Sequence, residues 1–147
     1  MLSGGCGCGA VRFEVAEDAL VGAGYCHCTR CQRRTGTASS ASGLAEPGSV
    51  RITAGQDAVR AWDPGDGGWL KAFCGACGGH LWASDPERPD RVSVRLGAFD
   101  GDPGVRPGAR QFTAYAAPWE ALPDDGLPRY PERLTAGARP VGSPSAG

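Results

Sequence analysis

Seven cysteines in three tight groups are the feature that most limits what this chain can fold into. The groups are Cys6-Gly7-Cys8, Cys26-His27-Cys28-Thr29-Arg30-Cys31 and Cys74-Gly75-Ala76-Cys77. The sequence opens without the basic segment or the apolar run of a secretory signal, so we expect a cytoplasmic protein whose thiols stay reduced. An odd number of cysteines cannot be fully paired in disulfides, which makes metal binding the favoured interpretation.

The first and last groups look like two halves of one tetrahedral site. Zinc takes sulfur ligands at about 2.3 Å, so a segment that supplies two of them must turn tightly. Glycines beside each pair allow that turn and leave backbone N–H groups able to reach the sulfurs. We predict that one structural zinc is held by Cys6, Cys8, Cys74 and Cys77, a grouping inferred from the count of four cysteines plus three. The alternative is that these cysteines are small buried apolar side chains.

The middle group supplies three thiolates, Cys26, Cys28 and Cys31, and no further cysteine is left to complete it. Three protein ligands leave zinc with an open position, which is the usual form of a catalytic metal. The alternative is a closed site in which His27 or a distant carboxylate is the fourth ligand. In extended backbone His27 points away from Cys26 and Cys28, because side chains alternate along a strand, and this favours the open site.

Arginines crowd the same segment, at Arg30, Arg33 and Arg34. Guanidinium groups can offset thiolate charge, and they also match the geometry of a substrate carboxylate. We predict that Arg30 and Arg33 bind the anionic groups of a substrate, with a solvated helix face as the equal alternative. His80 follows the last cysteine pair and is interpreted as a packed residue rather than a proton shuttle.

Composition and patterning predict a mainly β fold. The 24 glycines and 12 prolines disfavour long helices. Alternation of apolar and polar residues predicts short strands over residues 11–15, 49–53, 70–73 and 92–96, in packed antiparallel sheets. One short helical turn is predicted over residues 29–35, closed by Gly36. Residues 1–135 are expected to form a single zinc-binding domain, and residues 136–147 a disordered tail.

The charge and the hydropathy give no support to two classes of partner, nucleic acids and membranes. A formal net charge of −1 provides no field that would attract nucleic acid or an anionic membrane surface. No apolar run approaches the ~18–20 residues of a membrane span. We therefore expect neither partner, and the partners expected are small molecules.

Three motifs together resemble the glutathione-dependent formaldehyde-activating enzyme family, which includes centromere protein V. The similarity runs from about residue 3 to residue 122, and the order and spacing of all seven cysteines match: Gly4-Gly5-Cys6-Gly7-Cys8-Gly9, Cys26-His27-Cys28-x2-Cys31 and Phe73-Cys74-Gly75-x-Cys77-Gly78. The resemblance implies twisted antiparallel sheets around zinc-binding elements. It also implies a structural zinc at the outer four cysteines and a reactive zinc at Cys26, Cys28 and Cys31.

The resemblance further implies an activity. Near the second zinc a thiol such as glutathione would meet formaldehyde or a related aldehyde and give an S-hydroxymethyl thiol, which is a carbon–sulfur lyase reaction run in reverse. Thiols add to formaldehyde unaided, so the alternatives are a carrier of thiol or aldehyde and a non-catalytic zinc-binding module. A thiol redox sensor is a third hypothesis, in which oxidation releases the metal.

The chain departs from the family in one respect. Members often carry a histidine shortly before the tryptophan that corresponds to Trp119, whereas this chain has Arg110-Gln111-Phe112 there and no histidine after His80. Any role of that histidine in the family therefore does not carry over to this chain.

Overall fold

The computed structural model describes residues 1–134, and the predicted tail over residues 136–147 lies outside the described residues. The fold is mainly β with one α-helix, as predicted. No helix within residues 1–134 is long and apolar enough to cross a bilayer. Strands are numbered in chain order: β1 Leu2–Gly5, β2 Arg12–Val15, β3 Leu20–Cys26, β4 Ser40–Ala45, β5 Val50–Ala54, β6 Val59–Trp62, β7 Leu70–Cys74, β8 His80–Ser84, β9 Val92–Arg95 and β10 Arg110–Gln111; the helix α1 spans Thr29–Thr35.

The chain divides into two compact units, which are described separately. Unit 1 comprises Met1–Gly22 with Ser42–Val105. Unit 2 comprises Ala23–Ala41 with Arg106–Gly147, of which the structure describes residues up to 134. The single domain over residues 1–135 stays a prediction.

Unit 1 contains two antiparallel arrangements of strands. In the first, β2 lies between β1 and β5, with Leu2 opposite Val15 and Glu14 opposite Arg51. In the second, the order is β4-β9-β8-β7-β6, and the β7–β8 pairing is interrupted by a register shift between Ala72 and Phe73. The extra residue is Leu81 in β8, close to the turn that carries Cys77, and such a bulge changes the direction of the strand there.

The core of unit 1 includes buried side chains of β2, β8 and β9. Phe13, Leu81 and Val94 are completely buried, and side chains of this kind each contribute about 1.5–3 kcal/mol. Phe13 also meets the rings of Trp82 and Phe99 edge-on, at centroid distances of 5.8 and 5.6 Å. The alternation predicted over residues 11–15 is therefore that of a strand with one buried face.

Unit 2 contains α1, the last part of β3 and the two-residue strand β10. β10 runs parallel to β3, with Arg110 opposite Tyr25 and Gln111 opposite Cys26, so this pair departs from the expected antiparallel pattern. The helix has the predicted bounds and ends at Gly36, whose φ of 70° is the left-handed conformation that glycine adopts without strain.

Candidate metal centres and the surrounding residues

Four cysteines of unit 1 converge at one point, and we call them the four-cysteine cluster. Cys6 and Cys8 lie in the turn between β1 and β2, while Cys74 is the last residue of β7 and Cys77 lies in the turn that follows it. Their Sγ atoms all lie within 4.8 Å of one another. The separations include 3.6 Å between Cys6 and Cys8 and 3.9 Å between Cys8 and Cys74. The structure thus brings together the two distant pairs that the sequence predicts to share one metal.

Backbone hydrogen bonds shape both turns. The N–H of Gly78, at φ 76°, donates to the carbonyl of Cys74 at 2.7 Å, which closes the second turn. Three further N–H groups point at sulfur, from Val11 to Cys6 Sγ at 3.2 Å, from Ala76 to Cys74 Sγ at 3.4 Å and from Gly79 to Cys77 Sγ at 3.4 Å. Donors of this kind stabilise thiolates and orient metal ligands.

The thiols of the four-cysteine cluster do not all shift their pKa in the same direction. Burial raises the pKa of Cys6, but the N–H of Val11 and the neighbouring thiols outweigh it and lower that pKa to about 6. The pKa of Cys77 is also lowered, first by the N–H of Gly79. Cys8 shows the opposite result: a backbone hydrogen bond at Ala10 lowers its pKa, but Cys6 and Cys77 outweigh this and raise the pKa to about 11. Like charges this close cannot all form without a cation to offset them.

The cluster fits a tetrahedral metal with sulfur ligands. Zinc–sulfur bonds of about 2.3 Å place the corners of a tetrahedron about 3.8 Å apart. The separations of 3.6 and 3.9 Å lie on either side of that value. The donor set, its spacing and its N–H···S hydrogen bonds therefore suit a closed, structural site.

Three cysteines of unit 2 form a second group, which we call the three-cysteine cluster. Cys26 ends β3, Cys28 is the N-cap of α1 and Cys31 lies in its first turn. Their Sγ atoms also lie within 4.8 Å of one another, and the N–H of Cys31 donates to Cys28 Sγ at 3.3 Å. The pKa of Cys26 is raised, first by the thiol of Cys28, then by Cys31 and by burial. This group also needs a cation before all its thiols can ionise.

His27 does not belong to the three-cysteine cluster, although it lies between two of its members in the chain. The ring is buried, and Nε2 lies 3.1 Å from Nη1 of Arg110. Burial and the Arg110 guanidinium lower the pKa of His27, in that order, against a smaller opposing effect of the Ala38 backbone. Nδ1 meets no partner at full hydrogen-bond geometry among the described residues, so the Ala38 interaction is a weak one. The alternative with His27 as fourth ligand is not the arrangement in this structure.

Arg110 is the residue beside the site that the sequence did not single out as functional. Its side chain is 7% exposed and forms an ion pair of 2.7 Å with Asp125. Its guanidinium also stacks on the ring of Tyr25 at 4.3 Å. Arg110 is 83 residues from His27 in the chain, and no local motif marks it. The one signal in the sequence was the family resemblance, by which a histidine is expected shortly before Trp119, where this chain has Arg110.

The predicted substrate-binding arginines lie on α1. Arg30 is half-buried, Arg33 is exposed, and their three-residue spacing places them on one face of the helix. Gln32 lies between them and donates to the carbonyls of His27 and Tyr115, both at 2.8 Å. His80 begins β8 opposite Phe73, half-buried, in keeping with a packed residue.

The chain resembles known proteins at the level of family, sequence and structure. The family described as glutathione-dependent formaldehyde-activating enzyme matches residues 1–115, a span that includes all seven cysteines. A Halomonas elongata protein that bears the same family name is 28% identical over 110 residues, which are 69% of this chain and 68% of the relative. The crystal structure of a Rhodobacter sphaeroides protein matches with a TM-score of 0.56 at 26% identity, covering 71% of this chain and 91% of that one.

Proposed function

The chain belongs to the glutathione-dependent formaldehyde-activating enzyme family, and from that membership we propose that it joins a small thiol to formaldehyde or a related aldehyde. The thiol is glutathione or a molecule like it. The S–H group adds across the aldehyde C=O, so a carbon–sulfur bond forms and the carbonyl oxygen takes up the proton. No electrons are exchanged with a redox partner, and the reaction is that of a carbon–sulfur lyase in the synthetic direction.

The observation that carries this proposal is the incomplete ligand set of the three-cysteine cluster. Among residues 1–134, the donor atoms that converge there come from Cys26, Cys28 and Cys31 alone. The nearest histidine in the chain, His27, is hydrogen bonded to Arg110 instead. A site with three protein ligands leaves room for a substrate atom, in contrast to the four-cysteine cluster.

Both clusters are proposed to bind zinc, two ions per chain. Zinc held by three thiolates supplies Lewis acidity at an open position, which lowers the pKa of a thiol that binds there. The four-cysteine cluster is proposed to be structural, because it ties the turn after β1 to the turn after β7. Thiolate sites of this kind persist in a reducing compartment, so we place the protein in the cytoplasm.

The residues of the chain contribute the binding and the orientation of the thiol. Arg30 and Arg33 lie on one face of the helix that begins at the three-cysteine cluster, where guanidinium groups suit the carboxylates of a peptide thiol. Cys28 has two roles, because its sulfur is also the N-cap that accepts from the N–H of Cys31. The helix therefore begins at the proposed site, and its geometry depends on the same thiol.

Metal content is the first test. Zinc measured by mass spectrometry should be two ions per chain in the wild type and one in Cys28→Ser. Serine is the matched substitution because its hydroxyl keeps an N-cap acceptor for α1 while the thiolate is lost. Two ions in the variant would contradict the assignment of Cys28 as a ligand.

Activity is the second test. Formation of the S-hydroxymethyl thiol from glutathione and formaldehyde should exceed the spontaneous rate with the wild type and return to that rate with Cys28→Ser. Arg33→Gln should raise KM for glutathione but not for the uncharged thiol 2-mercaptoethanol, and Arg51→Gln, an exposed arginine of β5, is its control. Equal rates for wild type, Cys28→Ser and buffer would remove the enzymatic proposal and leave a carrier or a non-catalytic zinc module.

A further inference from the structure

Three side chains of unit 2 form a hydrogen-bonded series that ends at His27, which lies between Cys26 and Cys28 in the chain. Asp125 Oδ2 accepts from Arg110 Nη2 at 2.7 Å, and Arg110 Nη1 lies 3.1 Å from His27 Nε2. His27 is 2% and Arg110 6% exposed, so neither polar group is hydrated in the ordinary way. Burying a guanidinium costs desolvation free energy even when it has two hydrogen-bond partners. The burial of Arg110 next to His27 therefore suggests that the contact has a role.

The contact with Arg110 determines what the imidazole of His27 can do. Arginine has donors and no acceptor, so at Nε2 the guanidinium must donate and the ring must accept. In the neutral ring the proton then lies on Nδ1. The lone pair of one nitrogen is engaged and the other nitrogen carries hydrogen, so neither nitrogen is available to a cation.

We propose that Arg110 is a positioning residue that prevents His27 from becoming the fourth ligand of the three-cysteine site, and thereby leaves that position open to an exogenous thiol. Asp125 fixes the far end of the Arg110 guanidinium, and the ring of Tyr25 supports its face. The consequence for thiol binding rests on the proposed function, whereas the assignment of ligands does not.

The competition that Arg110 prevents is a strong one. Imidazole is among the commonest ligands of zinc, and His27 is tethered between two members of the cluster, Cys26 and Cys28. A ligand on so short a tether has a high effective concentration, which an exogenous thiol at cellular concentrations must overcome. The backbone of His27 is held by Gln111 and Gln32, at 3.0 and 2.8 Å, but these contacts do not restrain rotation of the ring.

Cadmium-113 NMR with nitrogen-15 labelled imidazoles tests the ligand assignment directly. The chain has two histidines, so His80 in unit 1 is an internal reference. In the cadmium-loaded wild type, His27 should be the Nδ1–H tautomer without coupling to cadmium. In Arg110→Met, the cadmium signal of the three-cysteine site should move and gain coupling to a His27 nitrogen, while the signal of the four-cysteine site stays in place.

Two variants separate positioning from mere structural support. Arg110→Met should weaken glutathione binding to the zinc-loaded protein by at least about tenfold, which is about 1.4 kcal/mol. The double variant with His27→Phe should recover most of that affinity, because no imidazole competes. Arg95→Met is the matched control, a partly buried arginine of unit 1 that donates to Ser42 at 2.7 Å, and it should leave both readouts unchanged.

Several results would overturn the inference. One is a wild-type His27 that is coupled to cadmium or carries its proton on Nε2, and this needs no variant to fold. Another is Arg110→Met without cadmium coupling to His27, or a double variant whose glutathione affinity stays as weak as that of Arg110→Met. If the wild type binds no glutathione at this site, the proposed function fails, but the coupling measurement still decides the role of Arg110.

Discussion

Adding one methyl group at Gly79 should loosen the four-cysteine cluster. A Cβ on this residue would lie 3.2 Å from the backbone nitrogen of Gly7, 3.3 Å from Cys77 Sγ and 3.5 Å from Cys6 Cβ. The first two distances are shorter than the ~3.5–4.0 Å at which carbon meets its neighbours without strain. Gly79→Ala therefore pushes the turn that carries Cys6 away from the turn that carries Cys77.

The magnitude follows from how little these atoms can yield. The neighbours are a backbone nitrogen and a sulfur in the cluster itself, neither of which is the end of a flexible side chain. Overpacking of this kind costs roughly 1–3 kcal/mol. Metal binding and folding share one free energy at a structural site, so the cost should appear as a zinc affinity about 5- to 150-fold weaker.

Competition with a chelating dye measures that affinity, and thermal unfolding with and without zinc measures the coupled stability. Gly97→Ala is the matched control, since a Cβ there meets no heavy atom within 4 Å and the residue has no positive φ. The Gly79 variant should lose more stability in the zinc-loaded than in the zinc-free form. If its zinc affinity equals that of Gly97→Ala, the two turns do not approach as closely as described and the reasoning is refuted.

Three further outcomes can be checked by unfolding experiments on the zinc-loaded protein. Phe13→Ala should lower the free energy of unfolding in urea by about 3–5 kcal/mol, because the ring is completely buried; a loss below about 1 kcal/mol would contradict that packing. Gly36→Ala should cost about 1 kcal/mol and Gly36→Asn less, because φ is 70° there; equal stability for all three residues would argue against a left-handed cap. Asp125→Asn should lower the Tm at pH 7, and its difference from wild type should close on acidification. The hydrogen bond from Arg110 and the N–H of Leu127 lower the pKa of Asp125, so its stabilisation is present above the ordinary carboxyl pKa of about 3.9 and is lost as pH falls through the lowered pKa. Asp124→Asn, the neighbouring exposed residue, controls for loss of metal in acid and should show no such closure.

Local patterns were enough to predict several elements. The alternation in residues 11–15 and 92–96 corresponds to β2 and β9, and the helix over residues 29–35 has the predicted bounds. In each case the buried face or the helix cap is determined by residues that are close together in the sequence, so local interactions are enough to predict the element.

Other elements gave no local signal. β4 has the sequence SASGLA, and glycine and serine have little intrinsic preference for a strand. Glycine is needed at position 43 because of a residue far away in the sequence: a Cβ there would lie 3.3 Å from the Leu96 side chain. β10 has two residues and exists because it pairs with the end of β3. Strands that are defined by their neighbours cannot be recognised from their own residues.

The sequence by itself determined which atoms can bind metal. Cysteine spacing and the flanking glycines are local properties. A pair of thiolates in a tight turn can supply two of the four ligands of a metal site whatever fold surrounds it. The tertiary structure decided which halves meet, and it decided that His27 lies against Arg110, whose other partner is Asp125. That contact depends on a partly buried ion pair between Arg110 and Asp125, which lie 83 or more positions after His27 in the chain, and its energy exists only once the chain has excluded water around Arg110.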